Sequence, residues 1–169
     1  MDPETEFRLA IARDVDGIIH VARITWRDTY AGIILPEIQE RLLRRWYSPP
    51  LIKAALTQSE SWFSVAAVEE RVVGYAQFIA GKNHRGELTR IYVLPEYQKQ
   101  GIGKRLLEDG LSSLKNHGVE EIFVQVEKEN AKGINFYERN GFHPVRELSI
   151  ELPGQSLNLM EYAFSLGAK

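Results

Sequence analysis

Glu-Leu-Thr-Arg-Ile-Tyr-Val-Leu-Pro-Glu-Tyr-Gln-Lys-Gln-Gly-Ile-Gly, residues 87–103, passes from a β-branched and aromatic run through a Pro-marked turn into a glycine pair that opens an amphipathic helix. Such an order presents free backbone N–H groups to a phosphate. Gly101 and Gly103 remove side chains where a backbone approaches a ligand closely, and the first-turn N–H groups of the helix have no intrahelical partner. Lys99, Lys104 and Arg105 add positive charge at this end, and Gln98 and Gln100 offer uncharged donors. Taken alone, the glycine pair equally describes a plain strand-to-helix turn. It is not a P-loop, and it lacks the third glycine of the dinucleotide fingerprint, which disfavours ATP and NAD.

Around this stretch the sequence alternates β and α periods. Phe7, Leu9 and Ile11 mark a short strand, Asp14 stands at a helix N-cap position, and Ile18, Ile19, Ala22, Trp26 and Tyr30 recur at helical spacing to about Ala31. Pro36 begins a second helix carrying Ile38, Leu42, Leu43 and Trp46 on one side. Pro49 and Pro50 punctuate the chain before a short helix over 51–58. Strands follow at Trp62–Val68, Val72–Ala80 and Glu87–Val93. Leu106, Leu107, Leu111 and Leu114 then form a helix stripe that ends at His117 and Gly118, and Ile122–Val126 returns as a strand. Asn130 can cap a helix holding Ile134, Phe136 and Tyr137, closed by Gly141, and two strands near 142–151 and 157–164 finish the order. The pattern predicts a mixed sheet with helices on its faces, in which the strands at 87–93 and 122–126 are parallel and joined by a right-handed crossover.

At 169 residues, with 44% hydrophobic and 26% charged side chains, one domain over 7–169 is expected, with 1–6 as a tail or non-native remnant. The net charge of −2 gives no field favouring nucleic acid or an anionic membrane, so anion binding has to be local. The absence of cysteine excludes disulfides and a thiol nucleophile. No run approaches the roughly 20 apolar residues of a membrane span, the acidic start lacks a signal peptide's features, and the default compartment is cytoplasmic. His20, His84, His117 and His143 have no spacing that suggests a metal site.

The QxxGxG string of Gln98–Gly103, preceded by Ile91-Tyr92-Val93 and Pro95, resembles motif A of the GNAT superfamily of acyl-CoA-dependent N-acyltransferases. The string Asn-Ala-Lys-Gly-Ile-Asn-Phe-Tyr-Glu-Arg-Asn-Gly-Phe from Asn130 to Phe142 resembles its motif B. The resemblance implies an α/β (α+β) fold: a GNAT-like mixed, largely antiparallel sheet of six to seven strands with a central parallel βαβ splay and helices on both faces. It implies acetyl-CoA as acyl donor and no metal. The pantetheine arm would take backbone hydrogen bonds from Ile91 and Val93 beside Tyr92, and the pyrophosphate would rest on Gln98, Lys99, Gln100, Gly101, Ile102, Gly103 and Lys104. Asn130 would touch the cofactor, although capping its own helix explains it equally well.

The same resemblance makes Glu87 the general base and Tyr137 the acid for the departing sulfur, which would also place Tyr137 against the cofactor. Period-two geometry sets Glu87, Thr89, Ile91 and Val93 on one face. A solvated strand-end carboxylate and a packed aromatic are the plain alternatives for the two. Trp26 and Tyr30, with Glu87, fall where the acceptor site is built in such enzymes, in a segment similar to PaiA-type spermidine/spermine acetyltransferases. Four residues apart on a helix, Trp26 and Tyr30 also fit a core face. The implied reaction is acetyl transfer to a primary amine in a ternary complex, with a polyamine or other small amine favoured. A peptide acceptor and a catalytically silent acyl-CoA-binding module are the alternatives, and a homodimer is expected by analogy alone.

Overall fold

The computed structural model describes residues 4–167. Its seven strands are β1 (Thr5–Leu9), β2 (Ser61–Val68), β3 (Arg71–Ala80), β4 (Arg85–Val93), β5 (Glu121–Glu127), β6 (His143–Leu152) and β7 (Gln155–Ser165). They form one sheet in the order β1-β2-β3-β4-β5-β7-β6, antiparallel throughout except for β4 and β5. The helices are α1 (Val15–Thr29), α2 (Pro36–Trp46), α3 (Pro49–Thr57), α4 (Ile102–Asn116) and α5 (Ala131–Arg139). No helix among the described residues is long and apolar enough to cross a membrane.

Three local expectations are corrected. The first strand begins at Thr5, where Thr5 pairs with Val68 and Glu6 with Ala67, so these two residues belong to the sheet and not to a tail. Met1–Pro3 lie outside the described residues. Asp14 does not cap α1 with its side chain. It is buried and turns back, accepting hydrogen bonds from Arg8 at 2.6 and 2.9 Å and from the Ile11 N–H at 2.8 Å. Burial pushes its carboxyl up, but the Arg8 bonds and the Ile11 donor outweigh this and hold it below its ordinary value. Pro49 and Pro50 open α3 instead of preceding it, because the fixed φ of proline suits the first helical positions, which need no N–H partner.

The two faces of the sheet follow from close contacts. An added Cβ at Gly74 would meet Val93 and Leu106, and one at Gly86 would meet Leu114 and Val119, so Gly74, Gly86 and Val93 lie on the α4 side. Arg90 instead stacks over Tyr47 at 4.7 Å, and Tyr92 reaches Tyr30, so these lie on the side of α1 to α3. Strict alternation cannot connect Gly86 to Val93. The register supplies the reason: Phe78 pairs with Leu88 and Gln77 with Arg90, leaving Thr89 as an extra residue in a β-bulge. Glu87 therefore shares a face with Arg90 and Tyr92, whereas Ile91 and Val93 point to α4. The predicted common face of Glu87, Thr89, Ile91 and Val93 is broken at Thr89.

Helix α4 buries Ile102, Leu106, Leu107, Leu111 and Leu114 against β3 and β4. Its approach is close enough that a Cβ on Gly110 would fall 2.0 Å from the ring of fully buried Phe78. Gly110→Ala gains about 1 kcal/mol of helix propensity but overpacks the core by about 1–3 kcal/mol. We expect thermal denaturation to show a Tm lowered by about 3 °C or more; an unchanged or raised Tm would refute this account of the packing.

Candidate functional site

The turn from Gln98 to Gly103 is left-handed at two points, Lys99 at φ +61° and Gly101 at φ +83°. Gly101 has open space around its Cβ position, so its requirement is conformational and not steric. Gln98 N–H donates to Pro95 O and Arg105 N–H to Gly101 O. Between them, the N–H groups of Lys99 to Lys104 have no acceptor among the described residues. Six consecutive donors at a helix N-terminus make an anion-binding concavity. The glutamine side chains have other tasks. Gln98 Nε2 donates to Val93 O at 2.9 Å and Gln100 Nε2 to Glu96 O at 3.0 Å, so both brace the turn and neither offers its amide outward. Arg105 is drawn to Asp109 at 2.9 Å, and Lys104 pairs loosely with Glu108, leaving Lys99 and Lys104 as the cations on the turn.

Above the turn, β4 and β5 part. Their parallel pairing covers only Arg85–Glu87 against Glu121–Phe123. Leu94 N–H donates to Val73 O, so by alternation Tyr92 and Leu94 direct their backbone groups to β3, and Ile91 and Val93 direct theirs into the gap. The Val93 carbonyl is already held by Gln98. The Ile91 N–H and C=O and the Val93 N–H are the groups left to a ligand. The gap opens into a cleft of about 810 Å³ lined by Ile91, Tyr92, Val93, Gln98, Lys99, Gly101, Gly103, Lys104, Asn130 and Tyr137, which brings the predicted cofactor residues together. Gln100 and Ile102 do not line it with their side chains; Ile102 is buried in the core.

Asn130 caps α5, its Oδ1 accepting from Gly133 N–H at 2.9 Å. Gly133 is required there, because a Cβ would stand 2.6 Å from Asn130 Nδ2. Tyr137 is packed edge-on between Phe136 and Phe142 and its body is buried, yet its hydroxyl has no hydrogen-bond partner among the described residues and the side chain lines the cleft. Burial, with Tyr30 adding to it, pushes this phenol well above its ordinary value, so it stays protonated across neutral pH. Opposite, the Tyr30 and Tyr92 hydroxyls lie 3.1 Å apart, and burial pushes Tyr30 up to about 12. Trp26 does not reach the cleft. It is buried between Tyr30, Trp46 and Tyr47, so the core alternative describes it.

Glu87 stands at the last paired rung, against Phe123, and lines a second cavity of about 260 Å³ on the α1 side with Gln125 and Glu161. It remains accessible from solvent, while desolvation on its inner side and the charge of Glu161 push its carboxyl above the ordinary range. Sequence reasoning missed Glu161, Gln125, Lys132, Asn135 and Arg139. Lys132, Asn135 and Arg139 fall inside the motif-B helix at the cleft and were legible as polar positions on it. Glu161 had no local signal, because β7 meets β5 only through the fold. The loop after α1 is pinned by Gln39, whose Nε2 donates to Ile34 O at 2.9 Å, and by Gln155, whose Nε2 donates to Ile33 O at 2.7 Å.

Residues 20–142 match the family model described as acetyltransferase (GNAT) family. The chain is 33% identical over 141 residues to a spermidine N(1)-acetyltransferase of Thermoplasma acidophilum, covering 81% of this chain and 87% of that protein. It is 29% identical over 157 residues to an N-alpha-acetyltransferase of Sulfurisphaera tokodaii, covering 85% and 84%. Among solved structures, PaiA N-acetyltransferase from Thermoplasma acidophilum in complex with coenzyme A superimposes with a TM-score of 0.81 at 29% identity, over 95% of this chain and 99% of that one.

Inorganic pyrophosphate titrated into isotope-labelled protein is expected to move the amide resonances of Lys99 to Lys104 before any others. In Gly101→Glu, which sets negative charge and bulk at the turn, these shifts should vanish. Movement that starts elsewhere, or survives the substitution, would show that the turn is not the anion site.

Proposed function

The chain belongs to the acetyltransferase (GNAT) family, and on that premise we propose that it moves an acetyl group from acetyl-CoA to a primary amine in a ternary complex, a small polyamine-like acceptor being favoured over a peptide. The observation that carries the reading is the parted strand pair: a ligand entering from the free amides of Lys99–Lys104 passes the backbone of Ile91 and Val93 and brings its acyl end to the fork. Tyr137 waits on the α5 side and Glu87 on the other. Coenzyme A has the matching order of groups, a pyrophosphate, an amide-bearing arm and a terminal thioester. The resemblance to a CoA-bound relative supports the donor, and the similarity to a spermidine acetyltransferase supports the acceptor class.

The geometry supports the following steps. The acceptor reaches the fork from the Glu87 side as an ammonium. Glu87, ionised, takes a proton and frees the nitrogen lone pair, directly or through one water. Nitrogen attacks the thioester carbonyl, the C–N bond forms and the C–S bond breaks, leaving one proton too many on the acylated nitrogen; Glu87 returns the first proton to solvent. Tyr137, kept protonated by its raised pKa, donates its proton to the departing sulfur, and the second proton of the acylated nitrogen, far more acidic than a phenol, passes through water to restore it. Because Glu87 works as a carboxylate, activity is lost as pH falls through its raised pKa. The similarity to an N-alpha-acetyltransferase gives a second reading, in which the amine is a polypeptide N-terminus.

Free-thiol release from acetyl-CoA, followed over a panel of diamines, spermidine and short peptides, tests the assignment. Release with a small amine is expected; tight acetyl-CoA binding without release to any amine would favour a silent module. Tyr137→Phe should lower kcat by about a hundredfold with acetyl-CoA affinity nearly unchanged, and Glu87→Gln should remove the acid limb of the pH profile. Unaltered turnover in the first variant, or an unaltered limb in the second, would sink the role of that residue.

A further inference from the structure

The cavity beside Glu87 holds a second carboxylate that the steps above do not use. Register fixes where it stands. Glu87 pairs with Phe123 at the last β4–β5 rung, Phe123 with Ala163, and Gln125 with Glu161. Glu161 therefore lies one step beyond that rung toward the open end of the fork, on the same side of the sheet as Glu87. It is only 6% exposed, and Arg146 on the outer strand β6 holds it, Nε donating to Oε1 at 2.9 Å and Nη2 to Oε2 at 3.5 Å. Arg146 itself is open to solvent, so it neutralises Glu161 from outside and leaves the inner side facing the cavity.

We propose that the Arg146–Glu161 pair is a positioning element for the acceptor: it presents a second carboxylate opposite Glu87 across the cavity, so that the incoming ammonium is drawn between the two and its proton passes to Glu87. This rests on the reading of Glu87 as base. The charged groups around Glu87 are few. On β4, Arg85 is stacked over the Phe123 ring at 4.0 Å and Arg90 is turned over Tyr47 at 4.7 Å; Lys82 lines the rim from the preceding turn, β5 lines the cavity with uncharged Phe123, Val124 and Gln125 and carries Glu121 opposite Arg85, and β7 contributes Glu161 with Arg146 behind it. Lys82 and Arg85 line the same cavity, but neither forms an ion pair with Glu87 or Glu161 among the described residues. The Glu161 charge still disfavours an ionised Glu87 although Arg146 offsets part of it, and a primary ammonium with three N–H donors can satisfy both carboxylates over the cavity of about 260 Å³. The arrangement also tunes the base, because Glu161 makes ionisation of Glu87 harder and Arg146 moderates that effect.

Initial rates with spermidine and acetyl-CoA, measured across pH for the wild type, Glu161→Gln and Arg146→Gln, test it. Glu161→Gln keeps a partner for Arg146 and should raise the spermidine KM about tenfold, leave the acetyl-CoA KM unchanged and move the acid limb of kcat/KM to lower pH by about half a unit. Arg146→Gln leaves Glu161 less neutralised and should move the limb to higher pH. Opposite movements are beyond what a packing role would produce. If the wild type releases thiol but both variants keep its limb and its spermidine KM, or move the limb the same way, the assignment of Glu161 is overturned. If the wild type releases no thiol with spermidine or any amine of the panel, the base reading fails first and takes this one with it.

Discussion

The parting of β4 from β5 is the constraint on which the rest of the structure depends. A parallel pair buried in the middle of a sheet would ordinarily run its ladder to the strand ends, and each backbone group left unpaired in a buried setting costs about 1–3 kcal/mol. Here the ladder stops at Glu87 and Phe123. Each strand is held by its other neighbour: β4 stays paired with β3 as far as Gly74 and Val93, and β5 stays paired with β7 as far as Glu127 and Leu159. The Gln98 side chain then satisfies the Val93 carbonyl at the mouth. What remains unsatisfied is a short row of amides at strand spacing, which water meets imperfectly and an extended amide-bearing ligand meets well.

The bulge at Thr89 divides labour along β4. Before it, Glu87 faces the α1 side; after it, Ile91 and Val93 turn their side chains to α4 and keep only their backbone for the gap. Were Thr89 to take its place in regular alternation instead of bulging out, Glu87 and the two apolar side chains would share a face, and a titratable carboxylate would be packed beneath α4 among leucines. One inserted residue thus lets a single strand serve a polar cavity on one side and an apolar core on the other.

The long periodic elements and the glycine turn were legible because their causes are local: leucine spacing in α4, the Asn130 cap, the left-handed position of Gly101. The bulge was not legible, since it depends on which β3 residue faces which β4 residue. Thr5 and Glu6 were misread for the same reason, as their strand character comes from Val68 and Ala67 across the pair. Asp14 had the right residue type for a cap, but its partner Arg8 on β1 was the stronger attraction. Trp26 and Tyr30 shared a helical face, yet one ends in the core and the other at the cleft, a separation set by the aromatic neighbours of Trp26.

Charge is organised at the scale of the fork and not of the molecule. A net charge of −2 conceals a cationic turn carrying Lys99 and Lys104 at one end and two carboxylates at the other. The Debye length at physiological ionic strength, about 8 Å, is short enough that the two ends act nearly independently on an anionic donor and a cationic acceptor. Between them lie Tyr30, Tyr92 and Tyr137, phenols kept neutral by burial. In the proposed reaction such neutral, hydrogen-bonding walls would leave the charge that develops on nitrogen and sulfur to decide where protons go. In that proposed reaction a proton lost by the ammonium would be taken up on the α1 side and another delivered on the α5 side, with the parted strands separating the two.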